Sequence, residues 1–67
     1  MSMTVLQMFD KDARTLLGDT VYNMIGGLDE IIHRAEAEKV IEVGSTQDGL
    51  DPDQFESLTN WIVTTLQ

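Results

Sequence analysis

Residues 17–35, LGDTVYNMIGGLDEIIHRA, carry the strongest periodic signal in the chain. Leu17, Val21, Met24, Leu28, Ile31 and Ala35 follow one another at separations of four, three, four, three and four residues. That spacing lines one face of an α-helix. Ile25 and Ile32 widen the stripe into a band suited to a core, broader than a coiled-coil seam. The opposite face carries Asp19, Asn23, Glu30, Arg34 and Glu38. Glu30 precedes Arg34 by four residues, as Asp10 precedes Arg14, an order worth about 0.2–0.5 kcal/mol per pair.

Upstream, Asp10 suits an N-cap and Asp12 places a carboxylate in the first turn, where it complements the helix dipole. Residues 1–9 then form an apolar N-terminal segment containing Met3, Val5, Leu6, Met8 and Phe9. A rival reading runs the helical pattern backward through Val5, Leu6, Phe9, Ala13, Leu16 and Leu17. Gly18 and the pair Gly26–Gly27 interrupt the pattern, and each costs about 1 kcal/mol relative to Ala inside a helix. The preferred reading is one long helix over residues 10–43, bent at Gly18 or at Gly26–Gly27. The main alternative breaks it at Gly18, with Asp19 capping a second helix. The β-branched Val40, Ile41 and Val43 finish the long helix, and Gly44 stops it as the C′ residue.

Residues 44–51, GSTQDGLD, form a turn-rich connection. The next helix start is the most specific local signal in the chain. Asp51 is the N-cap, and Pro52 takes the first helical position, where its missing N–H costs nothing. Gln54 completes a capping box, and Leu50 staples against Phe55. This second helix covers residues 52–66, with Phe55, Leu58, Trp61, Ile62, Thr65 and Leu66 on one face.

The expected fold is therefore all-α: a single helical domain over residues 1–67, built as a hairpin of a long and a shorter helix. A helix of about 33 residues extends about 50 Å, and one of 15 about 23 Å. The shorter cannot cover the stripe of the longer, so a homodimer assembling into a helical bundle is expected. A three-helix monomer is the alternative if the long helix breaks and folds back. The stripe Leu17, Val21, Met24, Leu28, Ile31 and Ala35, with Phe55, Leu58, Trp61 and Ile62, is assigned to the core or dimer interface.

Composition narrows the function classes. A chain of 67 residues buries only about 60% of the surface its unfolded form exposes, and usually needs a disulfide, a metal or a partner subunit. With no cysteine, disulfides and thiolate metal sites are excluded. Twelve acidic residues against four basic ones give a net charge of −8. Phosphate contact needs clustered Lys and Arg, whereas Lys11, Arg14, Arg34 and Lys39 are scattered. Direct binding of nucleic acid or anionic lipid is therefore not expected, and a partner with a basic surface is. No segment reaches the roughly 20 apolar residues of a membrane span. A cytoplasmic location is the default.

Chemistry-bearing patterns are weak. Glu30 and His33 have the Glu-x-x-His spacing of a di-metal bundle site, but they lie off the apolar stripe and lack two further inward carboxylates. Asp48, Asp51 and Asp53 do not fit the spacing of a calcium loop. His33, the one histidine, has no nucleophile placed beside it by any motif. No catalytic residue, metal site or cofactor is expected. The expected function is a small non-enzymatic protein-binding regulator, such as an inhibitor, anti-activator or adaptor, that occludes its partner. Met3, Leu6, Met8 and Phe9 are its candidate contact residues. Two other classes stand beside it: a nucleic-acid mimic occupying a basic DNA-binding site, and a structural subunit of a larger helical assembly.

Overall fold

The first helix starts at a capping box. Thr4 accepts a hydrogen bond from the Gln7 backbone N–H at 3.1 Å, and the Gln7 side chain accepts from the Thr4 N–H at 2.8 Å. Two otherwise orphaned donors are thus satisfied together, and α1 runs over Val5–Leu17. It buries Phe9, Ala13 and Leu17, the helically spaced set of the backward reading. The structure, a computed structural model, describes residues 3–66.

Each glycine in the sequence pattern turns out to sit at a helix boundary. At Gly18 the backbone has φ +82°, a region open to glycine at no steric cost, and its N–H closes α1 on the Arg14 carbonyl at 2.8 Å. Helix α2 then covers Asp19–Ile25, with Gly18 as its N-cap and Asp19 inside the first turn. At Gly26 the chain is left-handed, and the Gly27 N–H reaches back to the Tyr22 carbonyl at 3.1 Å. That bond spans five residues and is the closure that ends a helix in a Schellman turn. Helix α3 follows over Leu28–Ala37. The long helix expected over residues 10–43 is thus three helices with two changes of direction.

Helix α3 ends earlier than Gly44 suggests. Lys39 takes φ +62°, the one non-glycine residue with positive φ among the described residues. Its N–H bonds the Glu36 carbonyl and the Val40 N–H bonds the Ala35 carbonyl, the paired bonds of a Schellman motif. A left-handed residue bearing a Cβ is strained by about 1–2 kcal/mol. Lys39→Gly is accordingly expected to raise stability by about 0.5–1 kcal/mol in urea unfolding. An unchanged or lower midpoint would contradict the left-handed assignment.

Residues 38–51 cross to the last helix through successive tight turns, with Ser45 bonded to Glu42, Gln47 to Gly44 and Gly49 to Thr46 through the backbone. Three anchors hold the crossing. Ile41 and Leu50 enter the core, and the Glu36 carboxylate accepts the Gly44 N–H at 2.7 Å. Helix α4, Pro52–Trp61, has the expected capping box, with the Gln54 N–H on Asp51 at 2.8 Å. Regular α geometry stops at Trp61, and Ile62–Leu66 widens into a π-helical turn. Ile62, Val63, Thr64 and Thr65 are all β-branched, which crowds the preceding turn of an α-helix. The Trp61 indole N–H donates to Glu38 at 3.3 Å, tying the end of α4 to the end of α3.

One core serves all four helices. Phe9, Ile31, Leu58 and Ile62 are its fully buried large side chains, joined by Ala13, Leu17, Tyr22, Ala35, Ile41, Leu50 and Trp61. Phe9 meets Phe55 edge to face, ring centres 5.9 Å apart, within the favourable range for aromatic pairs. The radius of gyration is 11.0 Å, which matches the roughly 11 Å of a compact chain of this length. The longest dimension, 32 Å, leaves no room for a straight helix of about 50 Å. The length mismatch that called for a second copy is therefore absent, since the longest helix, α1, has 13 residues. The break and fold-back of that alternative are present, with four α-helices among the described residues where it counted three.

Candidate functional site

Two features gather polar side chains: a cluster joining α1 to α2, and a pair of surface troughs around the start of α4. In the cluster the Tyr22 hydroxyl donates a hydrogen bond to Asp10. The Arg14 guanidinium lies 4.6 Å above the Tyr22 ring and 3.7 Å from the Asp10 carboxylate. Burial pushes the Tyr22 phenol above its usual range, and the bond to Asp10 adds to that. Arg14 is held more strongly protonated, chiefly by the Tyr22 side chain beneath it and then by Asp10. A phenol kept neutral supplies no base or nucleophile. The cluster fastens the α1–α2 corner. Tyr22, and not Val21 or Met24, is the α2 residue that enters the core.

The larger trough, about 590 Å³, lies between the end of α3 and the first two turns of α4. The Schellman turn at Lys39 swings Val40–Val43 alongside α4 and creates it. Its apolar surface comes from Ala37, Val40, Ile41 and Val43, and its polar rim from Glu36, Lys39, Glu42, Asp51 and Asp53. Val43 is 83% exposed. Four carboxylates face one ammonium, and they are not equivalent. Glu36 holds the Gly44 N–H and Asp51 caps α4. The Glu42 and Asp53 side chains form no hydrogen bond or ion pair with any described residue, which leaves both charges available to an incoming cation.

A second trough, about 480 Å³, lies on the other side of the same helix start. Thr4, Val5 and Leu6 of α1 face Ser45, Asp48, Gly49 and Leu50 of the crossing, and Asp51 and Gln54 line this trough as well as the first. Neither trough holds a constellation for covalent or metal chemistry. Glu30 and His33 stand exposed on α3, and no three His, Asp or Glu side chains among the described residues come together as metal ligands. No helix among the described residues is long and apolar enough to cross a membrane.

The residues singled out from sequence are scattered by the fold. Phe9 is fully buried, so it is core and not a contact residue. Met3 and Met8 are about half exposed, and Leu6 lines the second trough. Of the stripe, Leu17, Ile31, Ala35, Leu58, Trp61 and Ile62 are core, while Leu28 and Phe55 pack against it half-buried. Val21 and Met24 point outward, Met24 being 80% exposed, because the turns at Gly18 and Gly26 rotate α2 away from the register of its neighbours. Sequence reasoning missed Val40, Val43, Glu42 and Asp53 as a group, since nothing local says that residues 36–43 and 51–57 meet. Comparison with protein-family models, with curated proteins and with solved structures returned no match.

Proposed function

We propose that this protein is a non-enzymatic regulator that binds another protein and occludes a basic, apolar segment of it in the trough beside Val40–Val43. One observation carries the reading: an exposed aliphatic surface framed by carboxylates, two of which have no described partner. Burying a side chain such as Val43 contributes about 1.5–3 kcal/mol, and the acidic rim selects for Lys and Arg while steering association. The open form of the trough favours a protein segment over a small molecule, because small-ligand sites usually enclose roughly 70–90% of their ligand's surface. Net charge favours the same class of partner and disfavours nucleic acid.

The test is a titration of the isotope-labelled protein with a short peptide that alternates aliphatic and basic residues. Amide shifts are expected at Val40–Val43 and Asp53–Ser57, with a dissociation constant on the order of 10–100 µM. Affinity should fall several-fold as salt rises through about 0.3 M. Equal binding of a peptide with Lys and Arg replaced by Glu would contradict the reading, as would shifts confined to other faces.

A further inference from the structure

We infer that the two troughs form one continuous track, and that it takes a single extended basic segment of the partner, with two aliphatic anchors separated by Lys or Arg. The inference rests on the function proposed above and adds the length and pattern of the ligand. Three observations support it.

The first is shared walls. Asp51 and Gln54 line both troughs, so the capping box of α4 is the saddle between them. The Asp51 side chain and backbone are fixed there by reciprocal bonds to Gln54 at 2.8 and 3.1 Å. A ligand crossing the saddle meets a rigid surface and does not have to order it, which lowers the entropic cost of binding.

The second is repetition of chemistry. The first trough offers Val40 and Val43 beside Glu42 and Asp53, and the second offers Val5 and Leu6 beside Asp48. Each pairs aliphatic surface with carboxylate, and between them lies Asp51. Glu36, Glu42, Asp48, Asp51 and Asp53 make five acids against Lys39 along the whole track. Apolar anchors at both ends and cations between them match that order. Leu6 is the one sequence-derived contact residue that the fold places on this surface.

The third is the poor fit of other occupants. A second copy of this chain carries the same charge of −8 with four scattered basic residues, so it would be repelled from an acidic track. A ligand helix is rigid and about 10–12 Å across, so it does not bend over the saddle at Asp51 and Gln54 as an extended chain does. An extended chain advances about 3.3 Å per residue. Twelve residues reach about 40 Å, beyond the 32 Å longest dimension of the molecule, whereas five reach about 16 Å, about half that dimension.

The experiment compares a 12-residue peptide carrying both anchors with a five-residue peptide carrying one, by calorimetry on the full chain. The longer peptide is expected to bind at least about 10-fold more tightly, since its second anchor engages at high effective concentration. Asp48→Lys, an exposed change on the second trough alone, should bring the longer peptide down to the affinity of the shorter and leave the shorter unaffected. Leu6→Ser should do the same, and Asp48→Lys covers the case in which Leu6→Ser does not fold. Equal affinities of the two peptides, or indifference of the longer one to Asp48→Lys, would overturn the track and leave the single-trough function standing. Failure of both peptides to bind would overturn both. Self-association abolished by Asp48→Lys would put a second copy on this surface and overturn the inference.

Discussion

Phe9→Ala is expected to destabilise the chain by about 3–5 kcal/mol at 25 °C. Phe9 is fully buried and packs edge to face on Phe55 at 5.9 Å. Removing a ring from such a site costs about 3–5 kcal/mol, including the aromatic pair, itself worth about 0.5–1.5 kcal/mol. A domain of 67 residues holds only about 3–10 kcal/mol in total. The loss therefore takes about a third of the margin or more, and it is read as a lowered unfolding midpoint of the helical circular dichroism signal. Met8→Ala, one residue away but about half exposed, should change stability by no more than about 0.5 kcal/mol. This pair separates the two roles first considered for residues 1–9. If Phe9→Ala unfolded cooperatively with a loss below about 1 kcal/mol, Phe9 would be a surface residue and the core described here would be wrong.

Gly26→Ala is expected to destabilise by about 2–3 kcal/mol. The backbone there has φ +115°, which side-chain-bearing residues rarely adopt, and an added Cβ would lie 2.8 Å from Glu30 Cγ and 3.2 Å from Glu30 Cβ. Both contacts fall near the root of the Glu30 side chain, so relief requires α3 to shift. In a continuous helix the same exchange would stabilise by about 1 kcal/mol. The two architectures thus predict opposite signs, and one denaturant series decides between them. A rise in the unfolding midpoint would restore the long helix, and with it the uncovered stripe that called for a dimer.

Much of the fold can be read locally, and what cannot be read has identifiable causes. The start of α4 is explicit because Leu50, Asp51, Pro52 and Gln54 all signal the same boundary. An equivalent signal, Thr4 followed by Gln7, marks α1, but Asp10 and Asp12 offer a competing start six residues later. The stripe from Leu17 to Ala35 keeps its spacing through two breaks, and periodicity records spacing without direction. It therefore reads as one rod where the chain turns twice. The evidence for the turns lay in Gly18, Gly26 and Gly27, whose positive φ values a continuous helix cannot accommodate. Lys39 gives no such warning, because a left-handed lysine is a choice made by the Schellman bonds around it. Tyr22, Ile41 and Leu50 reach the core from outside the stripe for tertiary reasons. Among the candidate contacts only Leu6 lines a trough. Glu42 and Asp53 are eleven residues apart and become neighbours across a trough only once α3 has ended at Lys39.

The acidic trough is tested most directly by reversing its two unengaged charges, Glu42→Lys with Asp53→Lys, and measuring affinity for the basic-aliphatic peptide. Both side chains are exposed, and the main folding cost is a cation in place of the Asp53 carboxylate in the first turn of α4, so stability should fall by no more than about 1–2 kcal/mol. Exposed ion pairs are worth about 0.2–1 kcal/mol each, and reversal turns each attraction into a repulsion, so binding should weaken at least about 4-fold. An affinity unchanged by the double reversal, in a protein that still folds, would contradict the assignment of this trough as the binding surface.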